Sequence, residues 1–256
     1  MDRQPPSPNG GARERLHERG RWAYDHLPPR VHCLLDAGCH DGASTAAFAT
    51  RADLAVGVDL DVMALRRGRL ADASPRVAAA DVAALPFRDG AFDCVVFSEV
   101  LEHVPAADEA RSVAEIHRIL QSGGTLILTT PHRGAFWWLD PLQLKTHFRR
   151  LRAAVSGRPL NVKGHKHYTV AEVRALLDPH FEIVAVHLVG WLLYPLAYWG
   201  YLLPFGIGGM PVLVRFWQAM MDFDYSRERG EAAYNVCIVA SRAVGAQGEQ
   251  AACASE

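Results

Sequence analysis

The chain has 256 residues, half of them apolar, and a formal net charge of −1 at pH 7. That length holds one well-packed α/β domain, or one domain with an insertion, and the near-neutral balance gives no global reason to expect nucleic acid as a partner. Cys33, Cys39, Cys94, Cys237 and Cys253 stand apart without metal or redox spacing, which argues against a disulfide framework and fits a reducing, cytoplasmic compartment.

Residues 1–12 are polar, rich in Pro and Gly and without the apolar core of a signal peptide, so they are expected to be disordered, as is the tail 244–256. Arg13 to Leu27 predicts a helix. Val31 to Leu35 reads as a short buried strand and Ala43 to Thr50 as a helix of small residues. Between them, Gly38 and Gly42 stand where the chain must reverse and let something approach its backbone. A glycine turn feeding a helix N-terminus suits an anionic group, and nucleotide-type ligands sit there in open α/β sheets. The next strand, Leu54 to Asp59, ends in an acid 23 residues after Asp36, placed to accept both hydroxyls of a ribose. Asp59 also suits the N-cap of a helix over Asp61 to Ala73, and the two roles are compatible.

A strand from Val77 leaves Asp81 at its end, either to accept from an exocyclic amine or as a plain turn acid. Ala91 to Phe97 is a buried strand running into the polar turn Ser98-Glu99-Val-Leu-Glu102-His103. An amphipathic helix over Asp108 to Leu120, a stop at Gly123-Gly124 and a fifth strand over Thr125 to Thr130 follow. Strands alternating with helices predict a parallel sheet flanked by helices. Acidic tips on successive strands point to a ribose and a base rather than a diphosphate.

The second half differs in composition. Phe136-Trp137-Trp138 could rim a pocket, and from Pro141 to Val170 there is no acid, while Lys145, Arg149, Arg150, Arg152, Arg158, Lys163 and Lys166 are present. Such a stretch suits anionic lipid headgroups, a phosphate-bearing substrate or RNA, or is a solvated helix face. Strands are expected over Phe181 to Val189 and Tyr234 to Ala240. Between them, Leu188 to Met221 has Arg215 as its only charge. Pro195, Gly200, Pro204 and Gly206 to Pro211 break that run below the length of a membrane span. Trp191, Tyr194, Tyr198, Trp199, Tyr201 and Trp217 are the aromatics favoured at a membrane interface, or the substance of a lid or subunit contact.

The succession resembles the class I S-adenosylmethionine-dependent methyltransferases, and most of all the group containing the ubiquinone and menaquinone biosynthesis methyltransferases. Asp36-Ala-Gly38-Cys39-His40-Asp41-Gly42 is similar to the family's first motif, with His40 in place of the middle glycine. Val58-Asp59-Leu60 is similar to its ribose-binding strand end, and Asp81-Val82 with Leu85-Pro86-Phe87 to its adenine-binding segment. Phe92-Asp93 through Glu102-His103 resembles the fourth motif.

The resemblance implies a doubly wound, mostly parallel seven-stranded Rossmann-like sheet over 13–243, with 188–222 as an apolar insertion before the last strand. It implies S-adenosyl-L-methionine held by Asp36, Gly38, Cys39, Gly42, Asp59, Leu60, Asp81, Val82 and Ser98, beneath the N-terminal helix. Cys39 reads as a small packed residue rather than a nucleophile. His103 faces the methyl region by family analogy and is the candidate base, or simply starts a helix.

Glu99-x-x-Glu102-His103 also resembles the divalent-metal cluster of ubiquinone-pathway O-methyltransferases. The same letters occur in relatives without metal, so no metal ligand is assigned. The expected function is O-methylation of a lipophilic or amphipathic small molecule at a membrane surface. Two alternatives stand beside it: an enzyme of soluble natural products or sugars with the insert as a lid, and a non-catalytic scaffold.

Overall fold

In a computed structural model, the described residues are 10–69, 76–140, 166–193, 195–197 and 211–243. The expectations placed on 1–9, on the helix end at 70–73, on most of the basic stretch (141–165), on 194 and 198–210 of the apolar run, and on the tail from 244 lie outside them.

Seven strands form one sheet: β1 (Val31–Ala37), β2 (Ala52–Asp59), β3 (Arg76–Ala79), β4 (Phe92–Ser98), β5 (Leu120–Pro131), β6 (Phe181–Val189) and β7 (Asn235–Arg242). Their order is β3-β2-β1-β4-β5-β7-β6. The first five run parallel, whereas β7 is antiparallel to β5 and β6 antiparallel to β7, so the far edge is a mixed hairpin.

Helices α1 (Gly10–Glu14), α2 (Glu18–Asp25) and α3 (Ala43–Phe48) precede β2. Then come α4 (Val62–Arg69), α5 (Glu109–Ile119), α6 (Val170–Leu177) and α7 (Pro211–Tyr225). Each central strand is apolar on both faces because helices cover both. Leu35, Val95, Phe97, Leu126 and Val236 pack with Val113 and Ile116 of α5 and Val173 of α6. Leu34, Cys94, Val96, Ile127 and Cys237 pack on the other side with Trp22 and Tyr24 of α2 and Met221 and Tyr225 of α7.

Three local expectations change. The single helix over 13–27 is two helices, because the turn at 15–17 lets Ala12 and Leu16 as well as Trp22 and Tyr24 reach the same core, and Arg13 closes the bend onto Asp25 at 2.7 Å. Gly123-Gly124 does not stop α5. That helix ends at Ile119, β5 starts at once, and the glycines lie inside β5 where its register against β4 slips, with Gly123 at φ 75°. The helix starting at Ala43 ends at Phe48, two residues earlier than expected. By contrast Thr169 and Glu172 form the reciprocal cap that the spacing Thr-x-x-Glu provides at the start of α6.

Candidate S-adenosylmethionine site

The parallel strands β1, β2 and β4 deliver Ala37, Asp59 and Ser98 to one edge of the sheet, and chain order reverses there between β1 and β4. In open α/β sheets ligands bind at such a switch point, outside the carboxyl ends of the strands. A cleft of about 650 Å3 lies there. Gly38 and His40 line it from the turn after β1, and Asp59, Leu60 and Asp61 from the end of β2. Ala80, Asp81 and Val82 follow β3, while Glu99, Val100, His103, Val104 and Pro105 follow β4.

The turn has little freedom. Gly38 has φ 91°, and a Cβ on it would overlap the Val100 side chain across the cleft, so glycine is required sterically as well as conformationally. Its N–H donates to Val58 O at 2.7 Å, tying the loop to β2. His40 occupies the left-handed region at φ 52°, the backbone angle demanded of it as the replacement for a motif glycine. Asp59 organises both sides of the cleft: Oδ2 accepts the His40 N–H at 2.7 Å and Oδ1 accepts the Asp61 N–H at 2.7 Å. Asp61, not Asp59, caps α4, its Oδ1 accepting from the Met63 and Ala64 amides. Asp81 Oδ1 holds the Ala83 N–H at 2.9 Å, fixing the turn that presents Val82.

Gly38, Asp59, Leu60, Asp81, Val82 and the candidate base His103 therefore stand together on the cleft wall. Asp36, Cys39, Gly42 and Ser98 do not line it. Asp36 is buried beneath the loop, where it accepts a 2.7 Å hydrogen bond from Thr45 Oγ1 of α3. Burial, opposed by that bond, pushes its pKa up to about 7. Cys39 packs with Leu65 and Val77, and burial raises its thiol to about 12, which fits a packed residue and not a nucleophile. Gly42, at φ 83°, precedes α3, and Ser98 shares a 2.7 Å hydrogen bond with Thr129 of β5.

The side chains of Glu99-x-x-Glu102-His103 lie near one another but take different polar partners. Glu99, with the uncommon φ of 57°, pairs with Arg19 of α2 at 2.7 Å and accepts from Thr129. Glu102 is buried toward Thr130, its pKa driven upward by burial and by the nearby Glu99 carboxylate. His103 is half exposed in the cleft, with Nε2 3.9 Å from Glu102. Among the described residues no group of three or more His, Cys, Asp or Glu is arranged to hold a metal ion. Arg19 was not foreseen as part of this site; nothing local in the sequence pairs it with a residue 80 positions away.

Residues 35–128, the segment that builds this cleft, match the methyltransferase domain family. Over these residues the chain is similar to methyltransferase domains. A Mycobacterium tuberculosis protein named "Probable S-adenosylmethionine-dependent methyltransferase" is 35% identical over 120 residues, 46% of this chain and 43% of that protein. An uncharacterized methyltransferase of Mycobacterium bovis is 33% identical over 106 residues, covering 41% and 53%. The chain thus spans about half the length of the curated relatives it matches.

Among solved structures, an S-adenosylmethionine-dependent methyltransferase from Methanosarcina mazei aligns over 87% of this chain and 97% of its own, at TM-score 0.53 and 20% identity. The [4+2]-cyclase SpnF aligns over 93% and 80%, at TM-score 0.54 and 19% identity. One methyltransferase-like fold therefore accompanies different chemistries, and the acceptor must be argued from residues.

The cleft fits S-adenosylmethionine on its own terms. The Asp59 carboxylate retains lone pairs for two hydroxyls, and Asp81 stands on the next strand end to accept from an amine.

Proposed function

We propose that the protein is an S-adenosylmethionine-dependent methyltransferase acting on oxygen of a lipophilic or amphipathic small molecule at a membrane surface. The observation that carries the methyltransferase part is the convergence of Gly38, Asp59 and Asp81 on one cleft within the matched domain. When bound, the cofactor supplies a methyl group already activated by a positively charged sulfur, so alignment is the main task left to the protein. Asp59 and Asp81 would hold the nucleoside end of the cofactor. His103, exposed on the same wall, is placed to receive the acceptor's proton on its imidazole. Because Glu99 is engaged by Arg19 and Glu102 by Thr130, turnover is expected to be unchanged by a chelator; loss of turnover on chelation, restored by a divalent ion, would overturn this.

The lipophilic and membrane part is supported by α7. Its inner side buries Met221 and Tyr225, while Leu213, Phe216 and Phe223 recur along an outer side and are exposed. Trp191 and Leu196 add further exposed apolar surface, Arg215 is exposed on α7, and the Arg227 guanidinium lies 3.9 Å over the Phe223 ring. No helix among the described residues is long and apolar enough to cross a membrane, so the proposed contact is with one surface only.

The test is flotation with phosphatidylglycerol–phosphatidylcholine vesicles. Replacing Leu213, Phe216 and Phe223 by serine is expected to cut vesicle partitioning by about tenfold or more, while cofactor binding is unchanged. Equal flotation of the triple variant, or none by the parent protein, sinks the membrane reading and leaves α7 as a lid.

A further inference from the structure

At the start of β7, Asn235 is wholly buried, and among the described residues neither its carboxamide oxygen nor its nitrogen has a protein hydrogen-bond partner. An unpaired amide in the interior is costly, and natural proteins retain few of them. Its direction follows from register. Asn235 stands opposite Val189 of β6 and Pro131 of β5, and Val189 packs in the core beneath α2 and α7. Cys237, two residues on, shares that face, and its Sγ lies 3.2 Å from the Tyr225 hydroxyl of α7.

The same face leads back to the cofactor cleft. Cys237 is paired across the sheet with Thr129, which donates to Glu99, and Glu99 lines the cleft while holding Arg19. A buried polar seam therefore runs from the cleft along the ends of β5 and β7, roofed by α2 and α7.

We propose that this seam is the acceptor compartment, and that the Asn235 carboxamide is the contact that recognises a neutral hydroxyl on the acceptor. The inference rests on the methyltransferase reading and adds the acceptor's chemistry. The charges of Arg19 and Glu99 cancel against each other, so a charged acceptor buried there would lack a partner. A carboxamide offers both donors and an acceptor, which a hydroxyl matches with its one donor and two lone pairs. The apolar remainder of such a molecule would lie along Tyr225 and Met221 toward the outer side of α7.

The experiment compares the parent protein with Asn235→Leu, close in shape but apolar. If the amide is kept for a ligand, removing it raises the melting temperature of the ligand-free protein by about 2–6 °C. In the presence of S-adenosylhomocysteine, 4-hexylphenol serves as the probe and 4-hexylanisole, which has no hydroxyl, as its control. Calorimetry is expected to show hexylphenol affinity at least tenfold lower in Asn235→Leu, with hexylanisole weak in both proteins and S-adenosylhomocysteine affinity unchanged. Asn235→Ala, which adds no volume, repeats the binding comparison should the leucine branch overpack the site.

A lowered melting temperature in both variants, equal hexylphenol affinity in parent and variants, or no hexylphenol binding to the parent overturns the proposal. Failure of the parent to bind S-adenosylhomocysteine would instead remove the methyltransferase reading on which it stands.

Discussion

Replacing Asp59 by alanine is expected to abolish measurable S-adenosylmethionine binding, a loss of at least about 100-fold. Two effects add. The carboxylate stands at the strand end where a ribose would place its hydroxyls, and hydrogen bonds to a charged group contribute about 1.5–3 kcal/mol each. The same oxygens hold the amides of His40 and Asp61, one on each side of the cleft. Without them the left-handed His40 loses the bond that holds it in a backbone conformation unfavourable for a side chain.

Asp81→Ala should be milder, about tenfold, because that residue secures only its own turn. Asp53→Ala is the control: it lies at the opposite end of β2, exposed, paired with His32 and away from the cleft. Calorimetric titration of the three variants checks the ranking. Parent-like affinity in Asp59→Ala would show that the ligand does not lie along the end of β2.

What the sequence made legible follows from how locally each feature is encoded. The strands announced themselves because burial on both faces requires apolar runs, and the acids at Asp59 and Asp81 stood out because they end such runs. The glycines at 38 and 42 were readable for the same reason, since a reversal between strand and helix needs them. Motif resemblance located the loop but not the direction of its side chains. Asp36 and Cys39 lie in the motif yet face inward, Asp36 onto Thr45 of α3 and Cys39 onto Leu65 of α4 and Val77 of β3.

Contacts between distant segments left no local trace. The Arg19–Glu99 pair, the packing of Val100 against Gly38 and the burial of Asn235 each depend on how separate elements dock. The Glu-x-x-Glu-His turn is a case in which spacing along the chain does not fix the partners. A single 3-10 turn at 101–103, following Glu99 at positive φ, leaves Glu99 on Arg19, Glu102 on Thr130 and His103 beside Glu102 in the cleft.

Replacing Asp36 by asparagine should stabilise the protein at neutral and alkaline pH and do little in acid. The carboxyl is buried under the loop, and burial raises its pKa from 3.8 to about 7, the Thr45 hydrogen bond opposing the shift and Asp59 adding to it. Below pH ~4 the group is protonated in both folded and unfolded chains and costs nothing. From there to about pH 7 the unfolded chain ionises freely while the folded one must keep its proton, so folding stability falls as pH rises. Above pH ~7 the penalty is complete and constant. A shift of about three pH units corresponds to roughly 4 kcal/mol, an upper figure because neighbouring groups and water relax around the charge.

Asparagine can accept the Thr45 hydroxyl through its amide oxygen and never ionises, so its stability should lack this slope. Urea unfolding of both proteins at pH 5 and pH 8 measures the gap between them, which should widen by a few kcal/mol at the higher pH. Parallel curves would mean that Asp36 is ionised in the folded protein and compensated there. The cost would then fall on the first-motif loop, with the buried carboxylate held by charge rather than by its proton.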